Sequence, residues 1–146
     1  MSAMESHSFD LRIYYEDTDH GGVVYYANYL KYMERARTEF MRSYGIELDQ
    51  LQHDEDVLFA VTEAHVHYRR PAHFNDALSV HSELTHAHGA RLGFRQVIMR
   101  GEEELVEGEI RLACMDTRGR ARRIPQGVLN KMGPSLCEEH GARKQL

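Results

Sequence analysis

The sequence predicts an α+β fold in which a curved antiparallel sheet wraps around one long helix. Three observations support this prediction. An amphipathic helix is indicated from about Asn28 to Tyr44. Most of the chain after it has the pattern of long strands separated by turn residues. Finally, one helix cannot cover a broad sheet on both faces, so the sheet must curve around the helix.

The predicted long helix has an apolar face and a charged face. Asn28 is a suitable N-cap, and Gly45 stands where a left-handed residue would end the helix. Apolar residues recur with helical period at Leu30, Met33, Ala36, Phe40 and Tyr44. The charged residues are expected to form a solvated face and comprise Lys31, Glu34, Arg35, Arg37, Glu39 and Arg42.

The strands are predicted from alternating or continuous apolar runs between turn residues. A first strand covers Phe9–Tyr15, and Glu47–His53 forms a short helical or irregular connection. The later strands are expected at Val57–Arg69, Ala77–His86, Arg91–Arg100 and Glu104–Asp116. Pro125 suits the first turn of a short helix that ends near Met132. We therefore expect one domain over residues 1–132 and a polar, mobile tail over residues 133–146.

Composition narrows the class of protein. The chain has 146 residues, of which 42% are hydrophobic and 28% charged, as in soluble globular domains. Its net charge of -5 argues against a nucleic-acid partner, which usually requires a basic surface. Cys114 and Cys137 are too few for a disulfide framework, and Cys114 is expected to be a buried free thiol. The N-terminus lacks the apolar core of a signal peptide and no stretch is long enough to insert in a membrane, so a reduced cytoplasmic setting is expected.

The turn before the helix has the residues that acyl transfer needs. Asp17-Thr18-Asp19-His20-Gly21-Gly22 cannot continue a strand, because paired glycines and aspartates favour turns. Such a turn delivers a carboxylate close to the free amides of a helix N-terminus, where negative charge is stabilised. A carboxylate can attack a carbonyl or activate water, and the amides can bind the oxyanion. The alternative is that Asp17 and Asp19 only turn the chain and cap the helix.

The run YYEDTDHGGVVYYANYLKYMERAR, residues 14–37, resembles the signature of the 4-hydroxybenzoyl-CoA thioesterase family of hotdog-fold enzymes. It is most similar to the bacterial branch associated with the Tol–Pal system, the YbgC-like acyl-CoA thioesterases. The similarity continues through Tyr68, Pro71-Ala72, Asp76 and Arg123-Ile124-Pro125. It implies a hotdog fold and hydrolysis of an acyl-CoA thioester to a carboxylic acid and coenzyme A.

The resemblance also implies roles for particular residues. Asp19 stands at the catalytic carboxylate of the family, as nucleophile or general base, and the backbone amide of Tyr26 would polarise the thioester carbonyl. Tyr15, Gly22 and Arg91 are the expected substrate-binding residues, although Tyr15 can equally be a half-buried strand aromatic. Tyr26 departs from much of the YbgC-like branch, which often has histidine there. The branch implies an aliphatic acyl group, whereas tyrosine at this position matches the 4-hydroxybenzoyl-CoA enzymes and permits an aromatic one.

The expected partners follow from the same resemblance. The substrate is acyl-CoA or an acyl carrier protein thioester, with no cofactor. Family members place their active sites between subunits, which implies a homodimer or a dimer-of-dimers tetramer. The histidine pairs His65/His67 and His86/His88 lack further ligands at suitable spacing, so no metal site is expected.

Two other functions remain open at this point. Hydration or dehydration of an enoyl thioester is a second hotdog activity, but it needs an Asp–His or His–Glu pair that the sequence does not indicate. A non-catalytic scaffold in Tol–Pal-associated envelope maintenance is the other, with a vestigial acyl-CoA pocket.

Overall fold

The α+β prediction is confirmed by the structure, a computed structural model that describes residues 7–136. The elements follow the expected order, with β1 (His7–Arg12), α1 (Asn28–Ser43) and α2 (Leu48–Glu55) first. The remaining elements are β2 (Leu58–Tyr68), β3 (Ala77–His88), β4 (Arg91–Arg100), β5 (Glu103–Met115) and α3 (Gln126–Met132). Short 3-10 turns form at Tyr15–Asp17 and Gly133–Ser135.

The five strands form one antiparallel sheet in the order β1-β3-β4-β5-β2. β1 and β2 are therefore its edges, and β2 is the longer edge with 11 residues. A bulge between Val61 and Glu63 of β2 shifts the alternation of its side chains. α1 lies against the sheet so closely that a Cβ at Gly108 would come 3.0 Å from Met33 Cε. A larger residue at that position of β5 would therefore require the Met33 side chain to shift.

The core lies between α1 and the sheet. Met33, Ala36 and Phe40 of α1 are fully buried there, together with Leu84 of β3 and Ile98 of β4. Phe40 also meets Phe94 edge to face, with ring centroids 5.2 Å apart. Burying a large apolar side chain stabilises the fold by about 1.5–3 kcal/mol, so the apolar face of α1 anchors the helix.

Two predictions about the ends of elements are wrong. β1 ends at Arg12 rather than Tyr15, because Asp17 Oδ2 accepts a hydrogen bond from the Tyr14 amide at 2.8 Å and a 3-10 turn follows. Asn28 is not the N-cap of α1, since Ala27 occupies that position and Asn28 is the first helical residue. At the other end, Gly45 has φ +81°, so the predicted left-handed residue after the helix is confirmed.

Two predictions about the faces of α1 are also wrong. Leu30 was expected on the buried face but is 41% exposed, because the sheet does not cover that flank of the first turn. Arg37 was expected in solvent but is only 8% exposed. Its Nη1 donates to Gln96 Oε1 on β4 at 3.0 Å, so a polar partner inside the fold draws the guanidinium inward.

The chain beyond α3 is described only in part. Gly133–Ser135 forms a 3-10 turn with Ser135 buried, and residues 137–146 lie outside the described residues. The domain boundary at residue 132 and the mobile tail therefore stay predictions. Cys114 is buried and free, as expected, whereas Cys137 lies outside the described range. Within residues 7–136, no helix is both long and apolar enough to cross a bilayer.

A charged contact joins the connection before β3 to β4. Asp76 Oδ2 accepts hydrogen bonds from the His73 amide at 2.8 Å and from Arg100 Nη1 at 2.7 Å. Partial burial acts to raise the pKa of Asp76, but these two donors outweigh it and hold the pKa below its usual value. The ionised carboxylate therefore stabilises the folded state.

We expect Asp76→Asn to lower the free energy of unfolding at pH 7 by about 1–2 kcal/mol, since charged hydrogen bonds are lost at a partly exposed site. The stabilisation is complete above the unfolded-state pKa, near 3.8, and is lost as pH falls through the lower folded-state value. The deficit of the variant should therefore shrink in acid. Urea unfolding between pH 3 and pH 7 measures it, with the exposed Asp10→Asn as control. A deficit that does not depend on pH would contradict this explanation.

Candidate active site

The acidic turn before α1 is a tight, hydrogen-bonded loop. The Gly22 amide donates to the Asp19 carbonyl at 3.0 Å, and the Asp19 amide donates to the Val23 carbonyl at 2.9 Å. Gly22 has φ +80°, a conformation that residues with a Cβ rarely adopt. A Cβ there would meet no atom within 4 Å, so backbone conformation alone requires glycine. The sequence from 19 to 22 thus fixes the position of the Asp19 side chain.

The carboxylate of Asp19 is held through one oxygen. Its Oδ1 accepts a hydrogen bond from the Gly21 amide at 2.8 Å. Its Oδ2 has no hydrogen-bond or ion-pair partner among residues 7–136, and the residue is exposed in the single chain. One oxygen is therefore oriented by the turn while the other is open to a substrate or a water molecule.

Asp17 has the structural role that the sequence predicted. Its carboxylate accepts from the Tyr14 amide, which confirms that it binds an amide of the turn. Its carbonyl accepts from the Tyr25 amide at 3.0 Å and from Asn28 Nδ2 at 2.9 Å. Because Asn28 is the first residue of α1, these bonds hold the acidic turn at the helix N-terminus.

The helix N-terminus also offers free donors. The amides of Tyr26 and Ala27 have no acceptor in the part of the chain that the structure describes. The Asn28 amide, by contrast, is used within the turn and donates to the Tyr25 carbonyl at 2.9 Å. Unpaired amides at a helix N-terminus bind negative charge. A developing oxyanion beside Tyr26 would be stabilised there.

Aromatic side chains surround this corner of the molecule. Tyr15 is 78% exposed and stacks edge to face on Phe74, with centroids 5.8 Å apart. Tyr26 is 62% exposed and meets Tyr68 of β2 edge to face, with ring centroids 6.3 Å apart. Tyr15 is thus an exposed aromatic of a 3-10 turn and not a half-buried strand residue. These exposed rings form an apolar rim around the turns that precede α1.

Two buried tyrosines support the rim from below. The Tyr29 hydroxyl accepts a hydrogen bond from the Ala72 amide at 3.0 Å, which ties α1 to the connection before β3. Burial raises the pKa of Tyr29 above its usual value, so the phenol stays neutral at physiological pH. Burial, followed by the nearby Asp17 carboxylate, likewise raises the pKa of Tyr32. Neither hydroxyl is therefore suited to act as a base.

A cleft of about 400 Å³ begins at the first turn of α1 and runs along its flank. We call it the α1–β2 cleft. It lies between α1 and the concave side of β2, β4 and β5, where the bulge in β2 places Ala64 rather than Glu63 in its wall. Most lining residues are apolar, including Leu30, Met41, Phe59, Val61, Phe94 and Leu112. The cleft has the size and apolar lining of a small-ligand site.

Arg37 is the unexpected polar residue of this cleft. Its guanidinium is bound to Gln96 Oε1, and Gln96 Nε2 in turn donates to the Met33 carbonyl and to Ser82 Oγ, both at 2.9 Å. Burial lowers the pKa of Arg37 from its usual value, while the charge of Glu34 acts to raise it. Sequence reasoning missed Arg37, because its charge and helical position are those of a solvated residue; no local pattern distinguishes it.

Arg91 lies apart from this corner. It is exposed at the start of β4 and lines a groove with Thr85, Gly93 and Arg111. Since side chains alternate along a strand and Leu92 lines the α1–β2 cleft, Arg91 points to the other side of the sheet. One chain alone therefore does not bring Arg91 to Asp19, and its role in substrate binding stays a prediction.

A metal centre is not indicated by the described residues. Within residues 7–136, no three histidine, cysteine or acidic side chains come together in a way that could hold a metal ion. His65 Nε2 instead contacts Glu63 Oε2 at 2.6 Å on the exposed side of β2.

Comparison with known proteins identifies the family of the chain. A family model of the thioesterase-like superfamily matches residues 14–132. The acyl-CoA thioesterase YbgC of Haemophilus influenzae is 39% identical over 109 residues, which cover 75% of this chain and 80% of that protein. The acyl-CoA thioester hydrolase YbgC of Escherichia coli is 39% identical over 121 residues, covering 82% of this chain and 90% of that protein.

A solved structure of a related protein has the same fold. The crystal structure of a probable thioesterase from Bartonella henselae aligns with a TM-score of 0.79 at 35% identity, covering 82% of this chain and 99% of that chain. The region that the family model matches includes the acidic turn, α1 and strands β2 to β5, whereas β1 lies outside it. The chain belongs to the thioesterase-like superfamily, within which it is a YbgC-like thioester hydrolase of the hotdog fold.

Proposed function

We propose that the protein hydrolyses an acyl-CoA thioester, with Asp19 as the catalytic carboxylate and the Tyr26 amide as an oxyanion donor. The YbgC relatives, whose names give acyl-CoA as their substrate, support this substrate class. One observation carries the proposal. The Asp17 carbonyl bonds Tyr25 and Asn28, and so holds the Asp19 turn against the open end of α1.

The reaction cleaves the carbon–sulfur bond of the thioester with water, giving a carboxylic acid and the free thiol of coenzyme A. As a general base, the open oxygen of Asp19 takes a proton from water while the water oxygen attacks the carbonyl carbon. As a nucleophile, the same oxygen attacks first and forms an anhydride, which water then hydrolyses. In both routes negative charge develops on the carbonyl oxygen, where the Tyr26 amide donates.

The leaving group explains why so few side chains suffice. A thiol has a pKa of about 8.5, so a thiolate leaves without the protonation that an alkoxide or amine requires. The proton taken from water can return to the thiolate through solvent. A carboxylate and a helix N-terminus therefore supply what the reaction needs, and no cofactor takes part.

We propose that the working form is a homodimer or a dimer-of-dimers tetramer. β2 is a long edge strand, and an unpaired strand of this length invites pairing with a second copy. Tyr68, exposed at the end of β2, and the exposed Tyr26 beside it would be covered by such a neighbour.

An acyl carrier protein thioester is also an eligible substrate, because it has the same phosphopantetheine thioester. We also propose a cytoplasmic location for the protein, where both substrates occur.

The first test is release of free thiol from a panel of aliphatic and aromatic acyl-CoAs. We expect Asp19→Asn to lower kcat/KM by about 100- to 10,000-fold, since the amide can neither accept the proton nor attack. Asp10→Asn removes the same charge from an exposed position of β1 and should leave the rate unchanged. Circular dichroism checks that both variants keep the fold.

The two alternative functions, enoyl hydration and a non-catalytic scaffold, give different outcomes in the same assay. A hydratase would change the absorbance of an enoyl-CoA without releasing thiol. A non-catalytic scaffold would do neither. Thiol release that persists in Asp19→Asn would refute the role of Asp19.

A second test concerns the turn itself. Gly22→Ala should cost about 1–2 kcal/mol of stability, because the left-handed conformation is unfavourable for a residue with a Cβ. Relief of that strain would move Asp19, and a displacement of about 1 Å can lower a rate about 100-fold. Gly119→Ala is the matched control, since Gly119 also has a positive φ, +84°, and open space around a new Cβ. Both variants should lose similar stability, and only Gly22→Ala should lose activity. Equal activity in the two would show that the turn does not position Asp19.

A further inference from the structure

We propose that the α1–β2 cleft selects acyl groups that end in a carboxylate, with Arg37 as the residue that determines this specificity. The inference deepens the proposed thioesterase function and depends on it. A purely aliphatic acyl group would need only an apolar cleft. The buried cation in its wall indicates a ligand that brings a compensating charge.

Arg37 forms no ion pair within the described residues, and the charge of Glu34 acts on it only from a greater distance. Its hydrogen-bond partner is Gln96, a neutral amide, and no carboxylate lies within 4.0 Å of it among residues 7–136. Its Nε and Nη2 donors have no acceptor in the same range. Neither nitrogen is among the buried polar atoms that lack a partner, so both are open to the cleft, where a carboxylate can bind them bidentately.

Gln96 fixes the direction of the guanidinium. Its amide nitrogen is used by the Met33 carbonyl and Ser82 Oγ, so only its oxygen faces Arg37. If Gln96 adopted another rotamer, these hydrogen bonds would break and buried polar groups would be left unpaired. Arg37 is therefore preorganised, with its free donors available along the cleft rather than folded onto the protein.

The distance along α1 sets the length of the acyl group. Arg37 is nine residues beyond Asn28, which is about 13 Å at the rise of an α-helix. Its side chain leans back toward the helix N-terminus, which shortens the span to about 8–10 Å. An extended chain advances about 1.2 Å per bond, so the terminal carboxylate of a C8 diacid reaches Arg37 from a thioester at the helix start. Deeper residues of the cleft, Met41 and Leu48, are apolar and offer a longer diacid no donor.

The charges at the cleft agree with this assignment. Besides Arg37, its lining contains Lys31 and Glu34, so the three titratable side chains leave one net positive charge. One terminal carboxylate would neutralise it. A neutral methyl terminus would leave the guanidinium buried beside hydrocarbon.

The experiment compares kcat/KM for suberoyl-CoA, the C8 diacid monothioester, with kcat/KM for octanoyl-CoA. We expect wild type to prefer suberoyl-CoA by about 10- to 100-fold, the range for a charge-assisted hydrogen-bonded pair. Arg37→Gln should bring the ratio to one or below. Because each ratio is measured within one preparation, partial misfolding of a variant cancels. Dodecanedioyl-CoA against dodecanoyl-CoA should show little preference in wild type.

Two further variants make the result specific. Arg37→Lys keeps the charge but loses the planar fork, and should retain part of the preference. Arg35→Gln removes a neighbouring exposed arginine that lies over the ring of Tyr32, and should keep the wild-type ratio. Thermal unfolding and sedimentation report whether any variant loses its fold or changes its association state.

The outcomes separate this inference from the proposed function. If neither thioester is cleaved in an Asp19-dependent way, the thioesterase assignment itself fails. If octanoyl-CoA is cleaved by Asp19 but wild type shows no diacid preference, only the role of Arg37 is wrong. The role of Arg37 is also wrong if Arg37→Gln keeps the wild-type ratio of the two kcat/KM values. If the variant lowers both kcat/KM values alike and changes the association state, Arg37 serves a subunit contact instead.

Discussion

The whole site depends on one carbonyl group. Asp17 turns its carbonyl oxygen toward α1, where the Tyr25 amide and Asn28 Nδ2 both donate to it. These two bonds convert a flexible acidic loop into an extension of the helix. Without them, the dipole and open amides of α1 would have no fixed relation to Asp19. Asparagine at the first helical position is thus used to hold a neighbouring loop, and not to cap its own helix.

The helix is joined to the sheet by two different kinds of contact. Its apolar face is anchored by Met33, Ala36 and Phe40, whose complete burial stabilises the contact with the sheet. Beside them, the chain of hydrogen bonds from Arg37 through Gln96 to Ser82 crosses α1, β4 and β3. A buried polar chain of this kind contributes little net stability, but it tolerates few alternative packings. It therefore fixes the rotation of α1 and the direction of its flank.

The sequence predicts the elements well because their causes are local. Helical periodicity, the left-handed Gly45 and the strand β4, Arg91–Arg100, each follow from a few neighbouring residues. The errors have distant causes. The end of β1 depends on capture of an amide by Asp17, and the burial of Arg37 depends on Gln96, which lies 59 positions away in the chain. A pattern within one helix has no information about a partner on another strand.

The candidate site likewise has features with local causes, which are predictable, and features with distant causes, which are not. The hydrogen bonds of the acidic turn join neighbouring residues, so its geometry and the structural use of Asp17 were predictable, whereas the catalytic role of Asp19 stays a prediction. The α1–β2 cleft depends instead on the flank of α1, a bulge in β2 and a side chain of β4, and these meet only in the folded chain. Because the first part lies at the helix end and the second about two turns further along, the two can change independently. Substitutions along this flank of α1 would therefore alter the cleft while leaving the acidic turn unchanged.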